Sequence, residues 1–225
     1  MRRDNLVNIL LSNYDINKDW IINEVKKYVN EYSKVTVIPF SFSSDEIKNL
    51  IDWNLLYNPI NGYHYSSIVD QFKDVGVKEE NIKFLNYFSD DTKTMKQILN
   101  NSDVVFFTGG SAELSMGRIK KKDLLDAIRK CKIIIGASAG AMIQLEEYFG
   151  SPDDEYPEFK YYPGLGLIDA CFSIEVHYQS TESQNTSIQK VLKKGMKTVY
   201  GITDNGALIY KDNEVKVFGD VKIFK

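Results

Sequence analysis

The stretch Lys132-Ile133-Ile134-Ile135-Gly136-Ala137-Ser138-Ala139-Gly140-Ala141-Met142-Ile143 decides how the rest of the chain is read. Ile133 to Ile135 are three β-branched residues in a row, the composition of a strand covered on both faces. Gly136-Ala137-Ser138-Ala139-Gly140 then fits G-x-S-x-G, the pattern of a nucleophile elbow, in which a serine sits on a strained turn between strand and helix. A side chain at either flanking glycine would collide with the strand or the helix. The helix behind the serine is expected to aim its positive end at the hydroxyl, where charge develops during acyl transfer. A tight β-to-α turn with an unreactive serine would match the same pattern. The apolar run before it and the helix-compatible run after it favour a nucleophile.

Outward from the elbow, strands and helices alternate. Leu6 to Leu11 predicts a first strand, followed by a helix capped by Asp15 or Asn17 with Trp20, Ile21, Val25, Val29 and Tyr32 at helical spacing. Val35 to Pro39 predicts a second strand, then a helix capped by Ser43 or Ser44 with Ile47, Leu50 and Ile51 on its apolar side. Asn58 to Gly62 reads as a loop, Tyr65 to Phe72 as helix and Ile82 to Phe88 as strand. Asp90-Asp91-Thr92 caps a helix through Met95 and Leu99, and Val104 to Phe107 is a buried strand closing in Thr108-Gly109-Gly110-Ser111. A helix with Leu124, Leu125 and Ile128 leads back to the elbow. Beyond it come an acidic loop from Ser151 to Glu158, a strand ending at Ile174-Glu175-Val176-His177 and a helix around Ile188 to Leu192. A strand from Thr198 to Ile202 follows, and from Ala207 onward the alternation suggests an antiparallel hairpin. The expected fold is therefore α/β, a mostly parallel doubly wound sheet with helices on both faces, in one domain over residues 1–225. Ligands of such sheets bind at the carboxyl ends of the strands, where Gly109-Gly110 and Ser138 both fall.

Composition narrows the function. The chain of 225 residues has a formal net charge of −3 and no basic block, which gives no reason to expect a nucleic-acid partner. Leu6 to Leu11 is too short and polar-interrupted for a signal peptide, and no stretch approaches the length of a membrane span, so a cytoplasmic protein without membrane contact is expected. Cys131 and Cys171 border apolar runs and read as reduced core residues. With two His and two Cys, neither a zinc-ligand cluster nor any other metal or cofactor is expected.

A serine nucleophile needs a base, and this chain offers only His64 and His177. His64 lies in a loop-like run, where an exposed or helix-capping role is the simpler reading; His177 ends an apolar strand, and scarcity favours it. The base in turn wants a carboxylate. Asp153, Asp154 and Glu155 in the acidic loop are the candidates, with Glu175 and Asp204 as outsiders. Backbone N–H groups of Ala139 and Gly110 suit an oxyanion hole. The interval from Ser138 to His177 is shorter than α/β-hydrolases place between nucleophile and histidine.

These residues resemble the peptidase family of dipeptidase E and cyanophycinase, whose fold is similar to class I glutamine amidotransferases. The resemblance rests on Val104 to Gly110, Gly136 to Ala141, Glu175-Val176-His177-Tyr178 and Tyr200 to Asp204. It implies Ser138 as nucleophile, His177 as base, Gly110 in the oxyanion hole and an acid from the loop, with equal spacing pointing to Asp153. It also makes Ser111 and Gln184 candidates for substrate binding. Two departures stand out. Ser111 replaces the asparagine of dipeptidase E, and Gln179 to Ser187 contains none of the arginines that suit an aspartyl side chain. The expectation is a serine peptidase acting on small peptides, Asp-containing ones among them, as a monomer or homodimer. Its rival is a catalytically impaired binding or regulatory protein on the same fold. An amidase or esterase is the third reading. A glutamine amidotransferase proper would need cysteine where Ser138 stands.

Overall fold

Alternating side chains of the central strands enter two separate apolar layers, so most positions along them are apolar instead of every second one, with Asn8 and Thr36 buried among them. In Val7–Leu11 (β1) all five residues are buried; Ile9 and Leu11 join one layer and Leu10 the other. The computed structural model describes residues 6–153, 157–169 and 171–225. After β1 come one α-turn, Ile22–Val25 (α1), then Val35–Ile38 (β2), Leu50–Tyr57 (α2), Tyr65–Asp74 (α3) and Ile82–Phe84 (β3). Thr92–Asn100 (α4), Val104–Phe107 (β4), Ala112–Lys121 (α5), Leu125–Ile128 (α6) and Ile133–Ala137 (β5) lead to the elbow. Past it lie Ala139–Met142 (α7), Glu147–Gly150 (β6), Lys160–Pro163 (β7), Phe172–Glu175 (β8), Glu182–Lys193 (α8), Thr198–Lys211 (β9) and Glu214–Phe224 (β10).

Eight of the described strands form one sheet in the order β10-β9-β1-β5-β4-β2-β3, with β8 beside β9, and β6 and β7 form a separate two-stranded ribbon. The run β1-β5-β4-β2-β3 is parallel, as the βαβ alternation requires. β9 is long enough to serve two neighbours along one edge. Its first part pairs with β8 in parallel, Glu175 opposite Gly201, and its last part pairs with β1 antiparallel, Leu11 opposite Ala207. The carboxyl ends of β8 and β1 therefore meet at residues 202–206, and this junction organises the site. The C-terminal hairpin closes β9 onto β10 through Asp212-Asn213, both at positive φ, as a primed two-residue turn requires.

Several local expectations are corrected. The helix from Trp20 to Tyr32 is mostly successive turns; only Ile22–Val25 is regular, although Ile21, Val25 and Val29 are buried as their spacing implied. α2 is capped by Asn49, which accepts from Ile51 and Asp52 N–H, instead of by Ser43 or Ser44. It buries Trp53 and Tyr57, while Ile51 stays exposed. The strand at Ile82 stops at Phe84, because Asn86 and Asp90 fold the next residues into a side-chain-bonded turn. Cys131 is buried in the core, but Cys171 is exposed. The small β6–β7 ribbon was not expected. No helix among the described residues is long and apolar enough to cross a membrane.

Candidate active site

Ser138 leaves β5 at φ 53°, ψ −121°, a backbone conformation that costs a non-glycine residue about 1–3 kcal/mol. The two glycines around it are there for close approach. A Cβ at Gly136 would run into the Gly140 carbonyl, and one at Gly140 would run into the Phe107 carbonyl of β4. Buried polar side chains hold the turn in place. Gln144 donates to the Gly140 carbonyl at 3.2 Å and the Ile9 carbonyl at 3.3 Å, and accepts from Asn8 at 2.9 Å. The Ser138 N–H donates to the Leu11 carbonyl at 2.9 Å. The expected helix behind the serine is a single turn, Ala139–Met142. One turn carries little helix dipole, so what this elbow presents to the cavity is individual N–H groups.

Those N–H groups come from two turns. Gly110 has φ 125°, and a Cβ there would lie 2.5 Å from the Ser41 carbonyl oxygen. Ser41 also accepts from Ser111 N–H at 2.7 Å, and its hydroxyl bonds the Gly109 carbonyl and Thr108. The Gly109 N–H donates to the Tyr14 hydroxyl at 2.9 Å. Burial pushes the Tyr14 phenol upward in pKa, so it stays protonated. Among the described residues no acceptor takes the N–H of Gly110 or Ala139, and both residues line one cavity with Ser138.

His177 follows β8 at φ 50°. Its N–H donates to Ser12 Oγ at 2.9 Å, Ser12 donates to the Ile202 carbonyl at 2.9 Å, and Tyr178 N–H reaches the same carbonyl. Ser12 thus ties the end of β1 to the histidine turn and to β9. The imidazole Nδ1 lies 2.6 Å from Asp204 Oδ1. A carboxylate accepts, so the hydrogen sits on Nδ1 and Nε2 carries the lone pair a general base needs. Both side chains are partly solvated, 41% and 50% exposed, so the pair orients the ring without a large desolvation cost. No hydrogen bond joins Ser138 Oγ to His177 among the described residues. In unliganded sites such bonds are often long and tighten with substrate.

The cavity has a volume of about 630 Å³. Its walls include Ser138, Ala139, Gly110, His177, Asp153 and Gln184, which brings together six of the residues singled out from the sequence. Ser111 stands apart from that lining. It caps α5, its hydroxyl accepting from Leu114 N–H at 3.3 Å. Gln184 is a framework residue as well as a wall residue. It completes a capping box with Thr181, accepts from Gln179 N–H at 2.9 Å and donates to the His177 carbonyl at 3.0 Å. The carboxylate on the imidazole is Asp204, not the loop residue Asp153, which lies beside Glu175. Asp154 and Glu155 fall outside the described residues. His64 packs its ring on Tyr57 and Tyr63 at the start of α3. Tyr14, Ser41 and Ser12 had no signature of their own in the sequence, because each acts on a strand far from it in the chain.

Glu175 is the other group that sequence reading undervalued. It is 7% exposed, accepts from Ser151 Oγ at 2.9 Å and lines the same cavity. Burial pushes its carboxyl up to about 7; hydrogen bonds from Ser151 and Gln184 act the other way, and the charge of Asp153 adds to the rise. Among the described residues no group of three or more His, Cys, Asp or Glu is placed to hold a metal ion.

A strained serine elbow, a histidine–aspartate pair and two N–H donors at strand carboxyl ends define the class, an α/β serine-type hydrolase. The chain belongs to peptidase family S51, whose sequence model matches residues 20–218. It is accordingly a serine-type peptidase. Two solved structures share the fold. One, assigned as a peptidase E protein from Listeria monocytogenes EGD-e, is 18% identical, with 96% of this chain and 98% of that one covered and a TM-score of 0.65. The other, a peptidase from an acI-B1 actinobacterium, is 17% identical, with 98% and 91% covered and a TM-score of 0.68. No curated protein matches the chain.

Proposed function

We propose that the protein hydrolyses an amide bond of a small peptide through an acyl-enzyme on Ser138, with Asp204 completing the triad. In this mechanism Ser138 Oγ attacks the carbonyl carbon while His177 Nε2 takes the hydroxyl proton. The Nδ1–H bond to Asp204 keeps the tautomer and stabilises the imidazolium. The oxyanion of the tetrahedral intermediate accepts from Gly110 and Ala139 N–H. Its collapse breaks the C–N bond, and His177 gives its proton to the departing amine. Water, deprotonated by His177, then attacks the ester, and the acid product leaves with Ser138 restored.

The observation that carries this reading is the convergence of Ser138, His177 and the Gly110 and Ala139 turns on one cavity, with the imidazole already held by Asp204. A cavity of about 630 Å³ suits a small peptide better than a folded protein chain. The test is turnover of a peptide panel by the wild type and by Ser138→Ala, with labelling by a fluorophosphonate probe as a second readout. Wild-type turnover and labelling that both vanish in the folded variant are expected. Equal turnover by the two proteins would refute the acyl-enzyme.

A further inference from the structure

The electrostatics of the cavity are one-sided. Glu113, Asp153 and Glu175 all line it, and none of its described lining residues is Lys or Arg. Glu175 is the most telling of the three. It is buried, its hydrogen-bond partners Ser151 and Gln184 are neutral, and the charge that acts on it is another carboxylate, Asp153. Burying an acid without a cation destabilises its ionised form, so the free protein gains nothing from this charge. The cavity lining also includes Met142, Tyr148 and Tyr162, apolar groups along which a chain of methylenes can lie while its charged end reaches an acid.

From this geometry we infer that the cavity selects peptides whose residue on the acyl side of the cleaved bond carries a cationic side chain, Lys or Arg, with Glu175 as its counter-ion. The inference rests on the acyl-enzyme reading above and names the substrate class of that same site. An ammonium or guanidinium would supply the positive partner that Glu175 lacks, and a charge-assisted hydrogen bond in a desolvated wall discriminates strongly against neutral isosteres. An aspartyl side chain would meet the buried Glu175 carboxylate in walls whose described residues include no Lys or Arg, which agrees with the absence of arginine between Gln179 and Ser187. The apolar walls favour a side-chain cation over the α-ammonium, which has no methylene stem to cover them.

The experiment compares p-nitroanilides of lysine, norleucine and aspartate, each with a free and an acetylated N-terminus. Norleucine has the lysine stem without the charge. For the wild type, kcat/KM for the acetylated lysine substrate is expected to exceed that for acetylated norleucine by about 10- to 100-fold. Glu175→Gln is expected to bring that ratio close to one. Folding of the variant is checked by fluorophosphonate labelling of Ser138, and the wild-type ratio stands without the variant. Equal rates for lysine and norleucine, a preference for aspartate, or a preference that follows only the free N-terminus would each overturn the inference while leaving the acyl-enzyme intact. Silence on every substrate together with an unlabelled Ser138 would overturn both.

Discussion

Glu175→Gln is expected to make the protein more stable at pH 8 and to leave it nearly unchanged at pH 4. The folded carboxyl titrates at about 7, against an ordinary glutamate value of 4.5. The folded state therefore holds a proton between those values that the unfolded chain has released. Stability falls as pH rises from about 4.5 to about 7 and is level above that range. At about 1.4 kcal/mol per tenfold difference, the whole interval amounts to about 3 kcal/mol. A neutral glutamine of the same shape escapes that loss and can still accept from Ser151. The expected gain is up to about 3 kcal/mol at pH 8, under about 1 kcal/mol at pH 5 and close to zero at pH 4. In a chain of this size, the pH 8 value corresponds to a rise in Tm of roughly 6–12 °C. Urea unfolding at pH 4, 5 and 8, followed through Trp20 and Trp53 fluorescence, measures it. A variant no more stable than the wild type at pH 8, or one equally stabilised at all three pH values, would refute the reasoning.

Two further outcomes test the catalytic geometry. Asp204→Asn should lower kcat by about 10²- to 10⁴-fold, because an amide can favour the wrong imidazole tautomer. Asp153→Asn should lower kcat at least tenfold less than that, and steady-state kinetics on one neutral peptide would reverse the assignment of the acid if the order came out otherwise. Ser138→Gly should abolish turnover yet raise stability by about 1 kcal/mol, since glycine adopts φ 53°, ψ −121° without strain. Ser138→Ala should also be inactive, with stability within about 0.5 kcal/mol of the wild type. Parallel denaturation curves separate the two, and a glycine variant less stable than the alanine one would contradict the strain at the elbow.

The parts of the fold that were legible are those where local chemistry and long-range packing agree. Ile133–Ile135 and Val104–Phe107 are apolar throughout because the sheet is covered on both faces, and the glycines at 136 and 140 announce a turn too tight for side chains. The α2 cap was misplaced because serines at 43 and 44 and an asparagine at 49 are all good caps, and burial of Trp53 and Tyr57 chose among them. Cys171 was misread for a related reason. An apolar neighbourhood in sequence does not show which way one side chain points.

Taken alone, the sequence determined the α/β class, the serine on its strained turn and the histidine, since each follows from residue type, spacing or scarcity. Which carboxylate meets the imidazole was a matter for the tertiary structure. Spacing points to Asp153 and leaves Asp204 an outsider, and only the pairing of β9 with both β8 and β1 carries Asp204 to 2.6 Å from the imidazole. The state of Glu175 was equally hidden. A carboxyl's charge depends on the water and partners around it, and those are supplied by residues such as Ser151, Gln184 and Asp153 that meet it only once the chain has folded.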